Sequence, residues 1–97
     1  MNYAFHPAAR REYLETVDYY DRISPELGDA FISEVEAGIV SICENPAAWL
    51  PLARGIRRFR TRTFPYGIVY TVRQDQILVL AVMHLHRRPG YWRNRGP

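Results

Sequence analysis

Residues 56–86 read IRRFRTRTFPYGIVYTVRQDQILVLAVMHLH, and the alternation within this stretch decides the fold. From Ile56 to Thr63, Arg58, Arg60 and Arg62 fall on one side and Arg57, Phe59 and Thr61 on the other, the period of two that marks a strand. Phe64-Pro65-Tyr66-Gly67 makes a turn into Ile68 to Arg73, which is rich in β-branched and aromatic residues. Gln74-Asp75 supplies a tight turn. Ile77 to His86 follows, apolar on both faces as far as Met83, which predicts the central strand. Consecutive strands with such short links predict an antiparallel meander.

The chain before this stretch is built differently. Asn2 to Phe5 is a short candidate strand, stopped by His6-Pro7, and proline suits the first turn of a helix. Ala9, Tyr13, Val17 and Tyr20 then recur at helical spacing, with Arg11, Glu15, Asp18 and Arg22 on another face. Ser24-Pro25 reads as an N-cap followed by proline at the first helical position. Leu27, Phe31, Val35, Ile39 and Ile42 form a second apolar stripe, ending near Asn45-Pro46. Two amphipathic helices with so short a link predict a helical hairpin. Pro46 to Gly55 shows no periodic pattern and is expected to be a connection. The expected architecture is an α+β fold in the order β-α-α-β-β-β, with the hairpin covering one face of the sheet. One domain spans 1–97, with 87–97 as an irregular basic tail.

A chain of 97 residues, 47% of them apolar, is expected to form one globular domain with a modest core. The run Ile77 to Met83 is too short to span a bilayer. The first residues, MNYAFHPAARRE, show no basic start followed by an apolar core, so no secretory signal is expected. Cys43, the single cysteine, falls on the second apolar stripe and reads as a structural thiol in a reducing compartment; cytoplasm is the expected location. Charge is divided sharply. Residues 1–50 carry nine acids against Arg10, Arg11 and Arg22, a net −6, and residues 51–97 carry ten arginines against Asp75, a net +9. Every basic residue is arginine, whose planar fork suits phosphates and carboxylates. Such a split points to an anionic partner without identifying it.

Several groups in the basic half could carry chemistry. A row of Arg58, Arg60 and Arg62 on one face of a strand can bind phosphates through charge-assisted hydrogen bonds; its plainer role is an edge strand protected by charge from aggregation. His84 and His86 share a face. A His-x-His pair needs a third ligand to hold a metal, and no acid or cysteine stands near, so no metal is expected. A histidine among arginines can instead serve as acid or base in RNA cleavage. His84 reads as a histidine hydrogen-bonded within the sheet, and His86 as the more available one. In RRPGYWRNR, residues 87–95, Tyr91 and Trp92 can stack on bases or pin the tail to the sheet; packing is the preferred reading of Trp92. Nothing in the sequence forms a glycine-rich phosphate loop, a Ser-His-Asp set or a nucleophilic cysteine site, and no cofactor is expected.

Taken together, the leading strand and helical hairpin, then RRFRTRTFPYGIVYTV, then ILVLAVMHLHRRPGYWRNR, resemble the RelE/ParE toxin superfamily of bacterial type II toxin–antitoxin modules over nearly the whole chain. The resemblance implies one compact fold and one of two activities, since some members cleave ribosome-bound mRNA and others poison DNA gyrase. The nuclease members carry basic residues on the second strand, where this chain has Arg58 and Arg60. They carry arginine and tyrosine after the last strand, where it has Arg87, Arg88 and Tyr91. They also carry an arginine just after the aromatic residue that opens the third strand, where this chain has Gly67; Arg62 is the neighbouring substitute. The ending RRPGYW looks more like the gyrase-directed branch. The resemblance thus implies a non-hydrolytic gyrase poison that binds through Arg57, Arg58, Arg60, Arg62, His84, Arg87, Arg88, Tyr91, Trp92, Arg93 and Arg95. The alternative is an endoribonuclease with His86, Tyr91, Arg58, Arg60, Arg87 and Arg88 as its catalytic set; a third is a degenerate toxin surviving as a corepressor. In every case it implies a cognate antitoxin, in a toxin–antitoxin hetero-oligomer, whose acidic segment orders over the basic half.

Overall fold

A computed structural model describes residues 1–95; Gly96 and Pro97, the end of the expected basic tail, lie outside the described residues. The chain runs β1 (Asn2–Phe5), α1 (Pro7–Ile23), α2 (Pro25–Glu44), β2 (Leu50–Ala53), β3 (Ile56–Arg60), β4 (Tyr66–Arg73) and β5 (Gln76–His84), closing with a 3₁₀ turn at Arg93–Arg95. It is the expected α+β architecture, with one more strand than the sequence indicated. No helix of the described residues is long and apolar enough to cross a membrane.

The hairpin forms where its capping residues dictate. His6 Nδ1 accepts the Ala8 N–H at 3.0 Å, so the residue before Pro7 is the α1 N-cap. Ser24 serves both helices: its own N–H donates to Tyr20 O, and its Oγ accepts from Leu27 N at 3.1 Å. The stripe Phe31, Val35, Ile39 and Ile42 packs on the sheet against Ile68, Tyr70, Val79 and Val82. At Gly38 helix and sheet come so close that a Cβ would stand 2.9 Å from atoms of Phe59 and Ile68.

The sheet has the order β1-β5-β4-β3-β2. Strands β2 to β5 form the antiparallel meander, but β1 joins its far end in parallel with β5, so the meander does not describe the whole sheet. Strand β5 has neighbours on both sides, as its apolar run requires, although the middle of the five is β4. The unexpected strand, β2, is an edge strand, which is where Pro51 is tolerated. The turn at Gln74 (φ 52°) and Asp75 (φ 61°) is left-handed at both positions, the geometry a two-residue hairpin favours.

Two expected strand ends are corrected. Strand β5 ends at His84 rather than His86. Strand β3 ends at Arg60, because Thr61 turns to bond the loop instead: its N–H donates to Tyr66 O, and its Oγ1 donates to Phe64 O and Tyr66 O. The loop is then closed from α2, where Glu34 Oε1 accepts the N–H of Thr63 at 2.9 Å and of Phe64 at 3.4 Å. A register shift completes the picture: Val69 pairs with Ala81 and Tyr70 with Val79, leaving Leu80 as the extra residue of a bulge. Both Leu80 and Ala81 consequently face away from the helices, in a second apolar cluster with Val69, Met83 and Trp92.

Burial pushes the Glu34 carboxyl up, but hydrogen bonds from Thr63, and from the backbone of Phe64 and Arg62, outweigh it and leave the pKa below the usual 4.5. A carboxyl with a depressed folded pKa stabilises fully above its unfolded value, and the contribution fades as pH falls through the folded one. The Tm difference between wild type and Glu34→Gln should therefore be constant above about pH 5.5 and shrink below about pH 4. Melts across that range check it; a difference unchanged at about pH 3 would mean that the carboxylate's charge does not hold the loop.

Candidate functional site

Arg60, Arg62 and the arginines that follow β5 are gathered at one end of the sheet by the direction of its strands, while Arg54 and Arg73 lie toward the other. The end of β3, the start of β4 and the end of β5 meet there, through the pairs Arg60 with Gly67, Gly67 with Met83 and Tyr66 with His84. The chain then folds back: Leu85 N donates to Pro65 O at 2.9 Å, Arg87 N to His84 O at 3.0 Å, and Gly90 takes a φ of +93° before the 3₁₀ turn. Trp92 is thereby laid on the second apolar cluster, 2% exposed.

A carboxylate from α1 holds this fold-back. Strand β1 reaches only Val79, so the edge of β5 beyond it has no strand neighbour. Glu12, on the inner flank of α1, fills the gap. Its Oε1 accepts the Val82 N–H at 3.2 Å, and its Oε2 lies 2.8 Å from Arg95 Nη1 and 3.8 Å from Arg87 Nη1. The Glu12 side chain is 14% exposed and that of Arg95 17%, so this pair lies largely out of water, where a carboxylate without partners is costly. Arg95 Nη1 also donates to Leu80 O at 3.1 Å, the carbonyl of the bulge. The Tyr91 ring meets two guanidinium groups, Arg87 at 3.7 Å and Arg95 at 4.9 Å from its centroid. Burial, and then the charge of Glu12, push the Tyr91 hydroxyl up to about 12 against the opposing effect of Arg87 and Arg95. It keeps its proton at physiological pH.

The sequence-predicted residues consequently separate into two sets. Arg57 points to the helix side and donates to Trp49 O at 2.8 Å. Arg58 lies on the opposite face with its stem across Gly67: a Cβ there would stand 2.7 Å from Arg58 Cδ. Trp92, Tyr91 and Arg95 are held in the fold-back. His84 packs its ring on Tyr66, 5.2 Å between centroids, and its Nδ1 accepts the His86 N–H at 3.1 Å. The exposed set is Arg60, Arg62, His86, Arg87, Arg88 and Arg93. The expected row of three arginines is shortened to Arg58 and Arg60, since Arg62 lies beyond the end of β3. What the arrangement offers is a set of guanidinium groups with one histidine, suited to an anion or an acidic polypeptide.

Glu12 is the residue that the sequence reading passed over. Its signal in the sequence is only that it stands three residues after Ala9, on the flank of the apolar stripe.

Comparison with known proteins follows the same lines. The family model described as ParE toxin of type II toxin-antitoxin system, parDE, matches residues 3–89. A solved structure described as a chromosomal ParDE TA system from P. aeruginosa is 18% identical with a TM-score of 0.76, covering 89% of this chain and 97% of that chain. At that identity it shows a shared fold. A comparison with curated proteins returned no match.

Replacing Glu12 by Gln should lower the unfolding free energy by about 2–4 kcal/mol, by leaving Arg95 without its counter-charge in a largely buried place. Asp18→Asn breaks only the exposed pair with Arg22, at 3.0 Å, and should change it by less than about 0.5 kcal/mol. Urea denaturation of both variants checks the contrast.

Proposed function

Because the chain belongs to the ParE toxin family of type II toxin–antitoxin systems, we propose that it arrests growth by binding DNA gyrase without hydrolysing nucleic acid, and that a cognate antitoxin neutralises it. The observation that carries this reading is the state of Gly67 and the fold-back. The position at which the nuclease members present an arginine has no side chain here, and the stem of Arg58 lies across it, 2.7 Å from where a Cβ would stand. The Tyr91 hydroxyl is buried, and Arg95 is paired with Glu12. A cleavage site needs an acid, a base and cations converging on one phosphate. Among the described residues, the exposed ionisable side chains carried by the β3–β4 loop and the segment after β5 are arginines with a single histidine, His86, whose only hydrogen bond is made by its backbone N–H.

Arg60, Arg62, Arg87, Arg88 and Arg93 are the residues assigned to target and antitoxin binding. An acidic antitoxin segment lying over the net +9 half would cover these same arginines, and inhibition would then be by occlusion. The endoribonuclease reading has one observation in its favour, the placement of exposed His86 beside Arg87 and Arg88. It makes a different product.

Purified protein incubated with gyrase, ATP and supercoiled plasmid should leave linear DNA after protein removal. The charge-reversing pair Arg60→Glu and Arg88→Glu should reduce that yield at least about tenfold, the effect of removing two charge-assisted contacts. No linear DNA from protein that is toxic in cells, with cleaved mRNA on ribosomes and loss of toxicity in His86→Ala, would overturn the gyrase reading.

A further inference from the structure

Beside the basic end, an open cleft of 390 Å³ separates α1 from the ends of β4 and β5. Its lining shares Arg87 and His84 with the basic end and differs from it in the rest. Three tyrosines face it, Tyr19 and Tyr20 from α1 and Tyr66 from β4, together with Glu15 and Thr16. On α1 the spacing of Glu12, Glu15, Thr16, Tyr19 and Tyr20 places all five on one side of the helix. The rings meet edge to face, Tyr19 with Tyr20 at 5.1 Å and Tyr20 with Tyr66 at 6.3 Å, both at 74°.

We propose that this cleft receives a cationic side chain, an arginine, from the antitoxin. This rests on the toxin–antitoxin reading above and adds a contact of opposite sign to it. Aromatic faces next to a carboxylate are the combination that holds a guanidinium: the ring quadrupoles attract the cation, and the carboxylate accepts its hydrogen bonds. The charges are placed for it. Glu12 is taken up by Arg95 and the Val82 N–H, whereas Glu15 has no ion pair among the described residues and stands exposed at the mouth. Arg87, on the opposite wall, is turned onto the Tyr91 ring and toward Glu12. Tyr19 is 61% exposed, so its ring is open to a ligand at the edge of the cleft. With Glu12 paired to Arg95 and Arg87, the charge left at the mouth is that of Glu15, which disfavours a phosphate beside it. A segment crossing from one to the other would need acids over Arg60 and Arg88 and then a base at Glu15.

The probe is Nα-acetyl-arginine amide, followed by NMR on the intact chain, with the neutral isostere Nα-acetyl-citrulline amide and sodium chloride at matched concentration as controls. Tyr19, Tyr20, Tyr66 and His84 resonances should shift and saturate with a Kd of roughly 10 mM, the scale of a cation–π contact plus an exposed ion pair. The citrulline analogue should bind at least about fivefold more weakly, and Glu15→Gln should weaken the arginine probe by a similar factor. Both Glu15 and Tyr19 are exposed, so Glu15→Gln and Tyr19→Ala test the cleft without touching the core; the isostere comparison in wild type stands without either. Equal binding of the two analogues, shifts reproduced by sodium chloride, or stronger shifts at the same residues with thymidine monophosphate would each overturn the proposal. None of these outcomes bears on the gyrase assay, so the two readings fail separately.

Discussion

The carboxylate of Glu12 meets the Val82 N–H and the guanidinium groups of Arg95 and Arg87 at the place where β1 has ended and β5 has not. Four elements depend on that meeting. Helix α1 is tied to the sheet by a polar contact as well as by its apolar stripe, the open edge of β5 acquires a partner, the bulge carbonyl of Leu80 is answered by Arg95, and Trp92 is carried onto the far face of the sheet. Charges this far from water stabilise little on balance, because desolvation offsets most of their attraction. Their effect is to exclude alternatives: a tail displaced from this position would leave the carboxylate without its counter-charges and the second apolar cluster open to water.

The bulge at Leu80 explains why a second cluster exists. With strict alternation one of Leu80 and Ala81 would face the helices; the extra residue turns both to the other side, and the tail covers them. This packing redistributes the arginines. Those nearest the sheet serve the fold, Arg57 on Trp49 O, Arg58 across Gly67 and Arg95 on Glu12, while those at the rim stay exposed. Which arginines fall in each set can change by substitution without any change in topology.

The parts of this structure that were legible in the sequence are those with local causes. Ser24-Pro25 marks the helical hairpin because one side chain caps within three residues, and Gln74-Asp75 marks the turn because the flanking strands leave only two residues between them. The parts that were not legible depend on distant partners. Pro51 interrupts any alternation in β2, which exists only because β3 offers it an edge. Strand β1 pairs in parallel across some seventy residues of intervening chain, from Asn2–Phe5 to Gln76–Val79, and nothing within it records the direction. Arg62 continues the alternation of β3 on paper, but Thr61 and Glu34 divert the backbone first. Glu12 looked like any surface acid, since its partners lie about seventy and eighty residues further along. Motif resemblance reached the family and the arginine-rich end; it could not show which arginines the fold itself uses.

The Val82 amide reports most directly on the central contact, because it lies on an edge that no strand covers and Glu12 alone accepts it. Native-state hydrogen exchange should find it protected to the same degree as the Ile68 and Tyr70 amides of β4, opening only with global unfolding. Exchange at close to the unprotected rate while β4 stays protected would contradict the account, and would mean that the Glu12 carboxylate does not hold the fold-back.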